Sequence, residues 1–211
     1  MARCKEFERE YVLEKAMTAF WLYGYEGTSI QILVQSTGVH RGSLYDTFGD
    51  KRSLFCEVLH YYDKTTIGSA IQALESPSAS LADLIYFFNG VVEYSLCDRD
   101  AKGCFLVNSA IEFCPQDSEI SEIISSIFQR IERAFQNSLK NAQIKGEISQ
   151  SRDIEALSKY LISSLKGLRV TAKIDPTRES LDRINRSIFA TLQPTQADSQ
   201  LLETNLTQKS T

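Results

Sequence analysis

The chain has 211 residues, of which 43% are hydrophobic and 24% charged, and it carries a formal net charge of −4. This length suits one small domain plus one larger one, with enough apolar side chains for a buried core. No apolar run approaches the roughly 18 residues of a membrane span, and no signal-peptide pattern opens the chain. Five cysteines without a C-x-x-C pair predict a reducing cytoplasm and no disulfide framework.

The segment 28–48, TSIQILVQSTGVHRGSLYDTF, predicts two short helices joined by a tight turn. The first helix begins after Thr28 as N-cap and carries apolar residues at the i, i+3, i+4 spacing. Gly38 stands where the chain leaves that helix with positive φ. Two short helices joined in this way form a helix-turn-helix, whose second helix enters the major groove of DNA.

The second helix is expected to bury Leu44 and Phe48, which lie four residues apart on one face. Arg41 can then reach a guanine edge or a phosphate, and a carboxylate at Asp46 is unfavourable unless it accepts from a cytosine amine or is held by Arg41. A helix turns by about 100° per residue, which gives the direction of each side chain. The outward positions are Gly42, Ser43 and Asp46. The positions that flank them are Arg41, Tyr45 and Thr47.

The following helix begins after Asp50, a predicted N-cap, with Lys51 near a helix N-terminus that favours phosphate. Residues 1–60 hold seven Lys/Arg and eight Asp/Glu, whereas a DNA-binding domain is usually basic. Arg41, Lys51 and Arg52 are nevertheless expected to cluster at the DNA face. Specificity must therefore come from a few contacts on a dimer.

The run GTSIQILVQSTGVHRGSLYDTFGDKRSLF resembles the DNA-binding domain of TetR/AcrR-family transcriptional regulators, and LEKAMTAFWLYGYEGTS is similar to that family's first helix and its aromatic-Gly-Tyr turn. The resemblance covers residues 8–60. It implies an all-α dimer whose N-terminal three-helix helix-turn-helix domain is followed by a larger ligand-binding and dimerisation domain. Asp46 departs from the aromatic residue or His often found there. By the resemblance the DNA-contact positions are Thr28, Arg41, Gly42, Ser43, Tyr45 and Lys51.

We predict a DNA-binding domain at 1–50, a helical effector-binding and dimerisation domain at 51–193, and a disordered polar tail at 194–211. No strand-like alternation or internal repeat is visible. Apolar periodicity and Gly or Pro breaks predict the later helices over 50–74, 80–97, 103–113, 117–144, 153–174 and 177–192.

The last two helices carry apolar stripes that have two readings. In the family this pair forms a four-helix dimer interface; alternatively, the stripes fill the core of a single chain. Two recognition helices must lie about 34–36 Å apart to read successive major grooves, which favours the dimer. The candidate interface residues are Leu161, Leu165, Leu168, Ile184 and Ile188.

An effector pocket is expected among the middle helices, where aromatic side chains and a few polar groups suit a small-molecule cavity. Each candidate taken alone also fits ordinary core. Glu93 and Glu112, carboxylates within apolar stretches, either face solvent or receive a cationic or hydrogen-bond-donating ligand. The candidates are Tyr62, Tyr86, Asn89, Glu93, Cys104, Asn108, Glu112 and Phe128.

Cys104 is predicted in the first turn of a helix, two residues after Lys102. A helix N-terminus and a nearby cation both make a thiol more reactive. Some TetR-family members sense electrophiles or oxidants through cysteine, and Cys97 and Cys114 are then candidate resolving partners. The alternative is a buried, inert cysteine.

We therefore predict a ligand- or stress-responsive repressor that binds a palindromic operator as a homodimer and is released by an effector, without cofactor or metal. The alternatives are a TetR-like ligand-binding protein without DNA binding and a cysteine-based sensor of the same fold. An enzyme is not expected. A cysteine nucleophile needs a histidine base, and the two histidines, His40 and His60, lie in or just after the DNA-binding motif. GxSxG, phosphate-loop and HExxH motifs are absent from the sequence.

Overall fold

The computed structural model describes residues 2–98 and 100–192, with side chains from residue 9 onward. Within these ranges the chain is helical and has no strand, which confirms the all-α class, and no helix there is long and apolar enough to span a membrane. The predicted tail at 194–211 lies outside the described residues. The helices are α1 (Ala2–Gly27), α2 (Ile30–Thr37), α3 (Arg41–Phe48), α4 (Lys51–Tyr62), α5 (Gly68–Ile71), α6 (Leu81–Cys97), α7 (Phe105–Phe113), α8 (Ser118–Ile144), α9 (Ile154–Ile174) and α10 (Arg178–Ala190).

Several helices begin at side chains that satisfy free backbone N–H groups, as the sequence predicts. Asp50 accepts from the Ser53 N–H, Asp153 from two amides of α9, and Thr177 from the Ser180 N–H. The predicted long helix over 50–74 is interrupted by a π-helical segment, Asp63–Ile67, between α4 and α5. Such segments are rare, and this one, DKTTI, contains no Gly or Pro that would mark a break in the helix.

The helices pack into two compact units that do not follow the predicted boundary between residues 50 and 51. Among the described residues, one unit falls within Met1–Ala70 and Asp98–Gln129, and the other within Ile71–Cys97 and Arg130–Thr211. We call them unit 1 and unit 2. Unit 1 therefore contains the helix-turn-helix together with α7 and the first part of α8.

Aromatic side chains form the core of unit 1. Phe55 of α4 lies edge-on to Phe20 of α1, with ring centroids 5.0 Å apart, and 5.7 Å from Phe105 of α7. Trp21 and Tyr62 meet edge-on at 5.4 Å. Full burial of side chains this large contributes roughly 1.5–3 kcal/mol each. The packing of α7 against α1 and α4 is thus as much a part of this unit as the helix-turn-helix itself.

Unit 2 uses the two apolar stripes of the last helices for its own core, which corrects the interface prediction. Leu161, Leu168 and Ile188 are 0%, 1% and 3% exposed within a single chain. Leu165 is also buried, and Ile184 is half-buried. A side chain enclosed by its own chain has little surface left for a partner. The buried side chains therefore fit the core reading of these stripes, and a dimer through this helix pair stays a prediction.

Candidate nucleic-acid interface

The turn between α2 and α3 is fixed by local hydrogen bonds and by burial of one face. Gly38 adopts φ 70°, and its N–H donates to the Val34 carbonyl. The Thr37 hydroxyl donates to the Leu33 carbonyl and accepts from the Val39 N–H. Leu33 is 0% exposed. The chain thus has the geometry expected of a helix-turn-helix.

The outer face of α3 is open, in the orientation that helical spacing predicts. Leu44 is 1% and Phe48 6% exposed, so they anchor the inner face. A Cβ added at Gly42 would meet nothing within 4 Å, which leaves the backbone approachable. Tyr45 is half-buried. The exposed candidates are Arg41, Gly42, Ser43, Asp46 and Thr47.

Arg41 is held by an aromatic ring and not by the neighbouring carboxylate. Its guanidinium carbon lies 5.2 Å from the Tyr45 ring centroid, within the range of a cation–π contact. Asp46 makes no ion pair among the described residues. The prediction that Arg41 holds this carboxylate is therefore not met in the described chain, and acceptance from a cytosine amine stays a prediction.

The N-terminus of α4 supplies one available cation, not two. The Lys51 ammonium lies 4.1 Å from the Tyr25 ring centroid. Arg52, which the sequence places at the same face, instead donates to both carboxylate oxygens of Asp117, each at 2.8 Å, and to Glu119 at 2.7 Å. These hydrogen bonds lower the pKa of Asp117 to about 2. Arg52 is thus committed to α8 and its N-terminal turn.

Thr28 is buried, which corrects its assignment as a DNA contact and as N-cap of α2. Its side chain is 0% exposed and donates to the Gly24 carbonyl. The N-cap is Ser29, an exposed residue whose hydroxyl accepts from the Ile32 N–H. The sequence is compatible with either residue as the N-cap, since Thr28 and Ser29 are adjacent and both residue types are good N-caps. Ser29 is the residue that sequence reasoning missed.

The predicted effector residues fall in both units. Tyr62 is part of the aromatic core of unit 1. Four other candidates also belong to unit 1: Cys104, Asn108, Glu112 and Phe128. The remaining three, Tyr86, Asn89 and Glu93, belong to unit 2. Tyr86 is 78% exposed.

The two carboxylates singled out have protein partners. Glu93 forms a bidentate pair with Arg178, with oxygen–nitrogen distances of 2.7 and 2.8 Å. Glu112 accepts from the backbone N–H groups of Tyr25 and Glu26. Each is thus satisfied at the protein surface without a ligand, and an effector pocket built from the eight candidates stays a prediction.

Two surface clefts are lined by residues other than the predicted effector residues. A cleft of about 380 Å³ in unit 1 is lined by residues of α1, α4 and the π-helical segment, among them Arg9, His60 and Lys64. A second, of about 350 Å³ in unit 2, is lined by residues that include Arg152, Tyr160 and Thr191. Neither contains any of the predicted effector residues.

Cys104 is the N-cap of α7 and not a residue of its first turn, and it is half-buried and free. Its neighbour Lys102 pairs with Asp98 at 3.0 Å and Asp100 at 3.4 Å. Cys114 caps the other end of α7. Ten residues along a helix span about 15 Å, more than twice the Cα separation that a disulfide allows. With α7 folded, Cys114 therefore cannot resolve Cys104 within the same chain.

Comparison with known proteins gives matches along most of the chain. The family described as bacterial regulatory proteins, tetR family, matches residues 12–58. The family described as tetracyclin repressor-like, C-terminal domain, matches residues 67–188. The first range includes the whole helix-turn-helix, and the second includes α6 to α9 and most of α10.

Individual relatives agree with these matches. The HTH-type transcriptional regulator YezE of Bacillus subtilis is 36% identical over 86% of this chain and 96% of its own length. The HTH-type transcriptional repressor ComR of Escherichia coli is 31% identical over 86% and 87%. A solved structure of the TetR-family regulator CifR, a cysteine mutant complexed with 26-bp operator DNA, has a TM-score of 0.74 at 27% identity and covers 84% of this chain and 95% of its own. The chain belongs to the TetR family of transcriptional regulators.

Proposed function

We propose that this regulator is a repressor that binds a palindromic operator as a homodimer and is released by an effector. The observation that carries the proposal is the open outer face of α3 above the buried Leu44 and Phe48. Support comes from relatives: ComR is named as a repressor, and CifR was solved with operator DNA.

In this proposal α3 lies in the major groove and the N-terminus of α4 lies on the backbone. Arg41 reads a guanine edge, and Asp46 accepts from a cytosine amine. Gly42 and Ser43 allow close approach, while Tyr45 and Thr47 donate to phosphate oxygens. Lys51 binds a phosphate at the start of α4, where the free N–H groups of the helix also favour an anion.

The test begins by selecting duplexes from a randomised pool, and then measures binding of the selected duplex at several salt concentrations. Lys51→Ala should lower the slope of log affinity against log salt by about one, since one phosphate contact is lost. Lys140→Ala is the matched control, an exposed lysine of α8 in unit 2. Arg41→Ala should cost roughly 1–3 kcal/mol and relax base preference. A pool without an enriched motif would favour a ligand-binding protein that does not bind DNA.

The dimer is proposed to form through the exposed face of α9, with α10 beside it. Val170 is 40% and Ile174 79% exposed. A Cβ added at Gly167 would meet nothing within 4 Å, so a partner helix has room to approach closely. The exposed residues on this face of α9 are Ala156, Tyr160, Ser163, Gly167, Val170 and Ile174.

Sedimentation velocity distinguishes this face from the buried stripe. Val170→Glu should give folded monomers, because the side chain is accessible in a single chain. Leu168→Glu should unfold unit 2, since that position is 1% exposed. Ile144→Glu, at a site 81% exposed near the end of α8, is the control for charge alone. A dimer that survives Val170→Glu would place the interface elsewhere.

A second candidate for the effector response is covalent modification of Cys104. Its half-buried position beside Phe105, an aromatic core residue of unit 1, favours this reading. An adduct there would disturb the packing of α7. The test is the alkylation rate of each cysteine in the native protein, read by mass spectrometry, with operator binding measured in parallel. A Cys104 that reacts only after denaturation would leave a non-covalent ligand as the effector.

A further inference from the structure

The carboxylate of Glu112 lies on α7, yet it binds the backbone at the end of α1. It accepts from the Tyr25 N–H at 2.9 Å and from the Glu26 N–H at 2.8 Å. These two amides follow Gly24, where α1 is broken by a residue at φ 73°, ψ 173°. Free N–H groups after such a break behave like those at a helix start, which a carboxylate stabilises. Glu112 thus fixes the turn that leads into α2.

The absence of a side chain at Gly24 leaves room for this carboxylate. Its backbone conformation is one that only glycine adopts readily. In addition, a Cβ placed there would lie 3.3 Å and 3.4 Å from the two oxygens of Glu112. The glycine therefore permits both the break in α1 and the close approach of α7.

Tyr25 connects this carboxylate to the phosphate-binding end of α4. Its ring lies 4.9 Å from that of Phe113, the residue after Glu112, and 5.2 Å from that of Phe55. The Lys51 ammonium lies 4.1 Å from the centroid of the same ring. Helix α7 thus contacts both the backbone N–H and the ring of Tyr25, and the same ring contacts the Lys51 ammonium.

We propose that Glu112 is a positioning residue for operator binding. It holds the Tyr25 turn, and through the Tyr25 ring it keeps the Lys51 ammonium at the N-terminus of α4, where it meets a DNA phosphate. This inference rests on the proposed function, because it takes Lys51 to be a phosphate contact. A residue some sixty positions beyond the helix-turn-helix thus affects DNA affinity through the residues that it positions.

A positioning role and a simple charge effect predict opposite outcomes for Glu112→Gln. The substitution removes a negative charge near a polyanion, so through charge alone it should tighten operator binding. Through positioning it should weaken binding, since a glutamine cannot accept from two amides as a carboxylate does. The sign of the change therefore separates the two.

The experiment measures affinity for the selected operator at several salt concentrations, together with amide exchange at Tyr25 and Glu26. For Glu112→Gln we expect about tenfold weaker binding, the loss of roughly one charge-assisted hydrogen bond. We also expect a shallower salt slope and faster exchange at both amides. Glu122→Gln is the control, because it removes the same charge from an exposed site on α8 in unit 1.

A double-mutant cycle with Lys51→Ala identifies the route. If Glu112 acts through Lys51, Glu112→Gln should have little further effect once the lysine is gone. Additive losses, unchanged affinity or tighter binding would each overturn the proposal. If Lys51→Ala itself leaves binding unchanged, the proposed phosphate contact is what fails. Thermal unfolding of each variant confirms that the binding data come from folded protein.

Discussion

Helices α6 and α7 look alike in the sequence and serve different parts of the molecule. Both are strongly apolar, and each carries an asparagine followed four residues later by a glutamate, Asn89 and Glu93 in α6 and Asn108 and Glu112 in α7. The first pair bonds to α10, where Asn89 accepts from Asn185 and Glu93 pairs with Arg178. The second pair bonds within unit 1, where Asn108 donates to the Lys102 carbonyl and Glu112 accepts from the backbone N–H groups of Tyr25 and Glu26.

The difference shows that a carboxylate in an apolar stretch does not by itself indicate a ligand. Glu93 and its partner are 58% and 57% exposed, so solvent screens their attraction and the pair contributes little. Glu112 is also exposed, but it accepts from two backbone N–H groups at a break in α1 and so connects two helices of unit 1. The same residue type is thus peripheral in one helix and structural in the other.

Truncating one core aromatic in each helix should give the largest effects and should separate the two units. Phe105 in α7 is 1% exposed and Phe88 in α6 is 0% exposed. Replacement of either by Ala should cost about 3–5 kcal/mol of the free energy of unfolding. Hydrogen exchange locates the loss: Phe105→Ala should deprotect α1 and α4, and Phe88→Ala should deprotect α9 and α10. Equal deprotection everywhere would mean that the units do not open separately.

Alanine at a glycine should have opposite signs in the two regions. Gly24→Ala places a side chain at φ 73°, ψ 173° and against the Glu112 oxygens, which should cost about 1–3 kcal/mol. Gly90→Ala, in the middle of α6 with open space around the new Cβ, should stabilise by up to about 1 kcal/mol. Urea unfolding of both variants measures the two changes. A neutral Gly24→Ala would show that the turn relaxes without glycine.

Local signals in the sequence predicted local structure well. Gly38 as a positive-φ exit, Asp50 as an N-cap, and Leu44 and Phe48 as the inner face of α3 all depend on residues within one helical turn, and all are found. The local errors are small: Thr28 was chosen over the adjacent Ser29, and both residue types are good N-caps, while Cys104 lies one position outside the first turn of α7.

Which core each helix joins was not predictable from periodicity. The stripes of Leu161 and Ile188 fit an interface as well as a core, because both environments exclude water. Likewise, nothing in the local sequence of Glu112 or Asp117 indicates that Tyr25 and Arg52, more than sixty residues away, are their partners. Such pairings depend on long-range packing, which a single sequence does not record.

Acid titration should weaken unit 1 through the pair formed by Asp117 and Arg52. Hydrogen bonds from Arg52 lower the pKa of Asp117 from its ordinary value of 3.8 to about 2. A lowered pKa means that the stabilisation is present above pH about 4 and is lost as the pH falls towards 2. The difference in unfolding free energy between wild type and Asp117→Asn should therefore shrink over that range. A difference that does not vary with pH would show that neither the pair with Arg52 nor the hydrogen bond from the Ile120 N–H favours the charged form of Asp117.

Glu93→Gln should give the smallest effect, and it completes the comparison between the two helices. Hydrogen bonds from Arg178 lower the pKa of Glu93, so the pair is fully formed at neutral pH and weakens only in acid. Both side chains are more than half exposed, and salt screens such pairs.

We therefore expect no measurable change in urea unfolding at neutral pH and unchanged operator binding. The identical substitution at Glu112 should weaken operator binding about tenfold. A large loss of stability for Glu93→Gln would contradict this contrast, because it would mean that an exposed ion pair holds α6 against α10 as firmly as the capped turn holds α7 to α1.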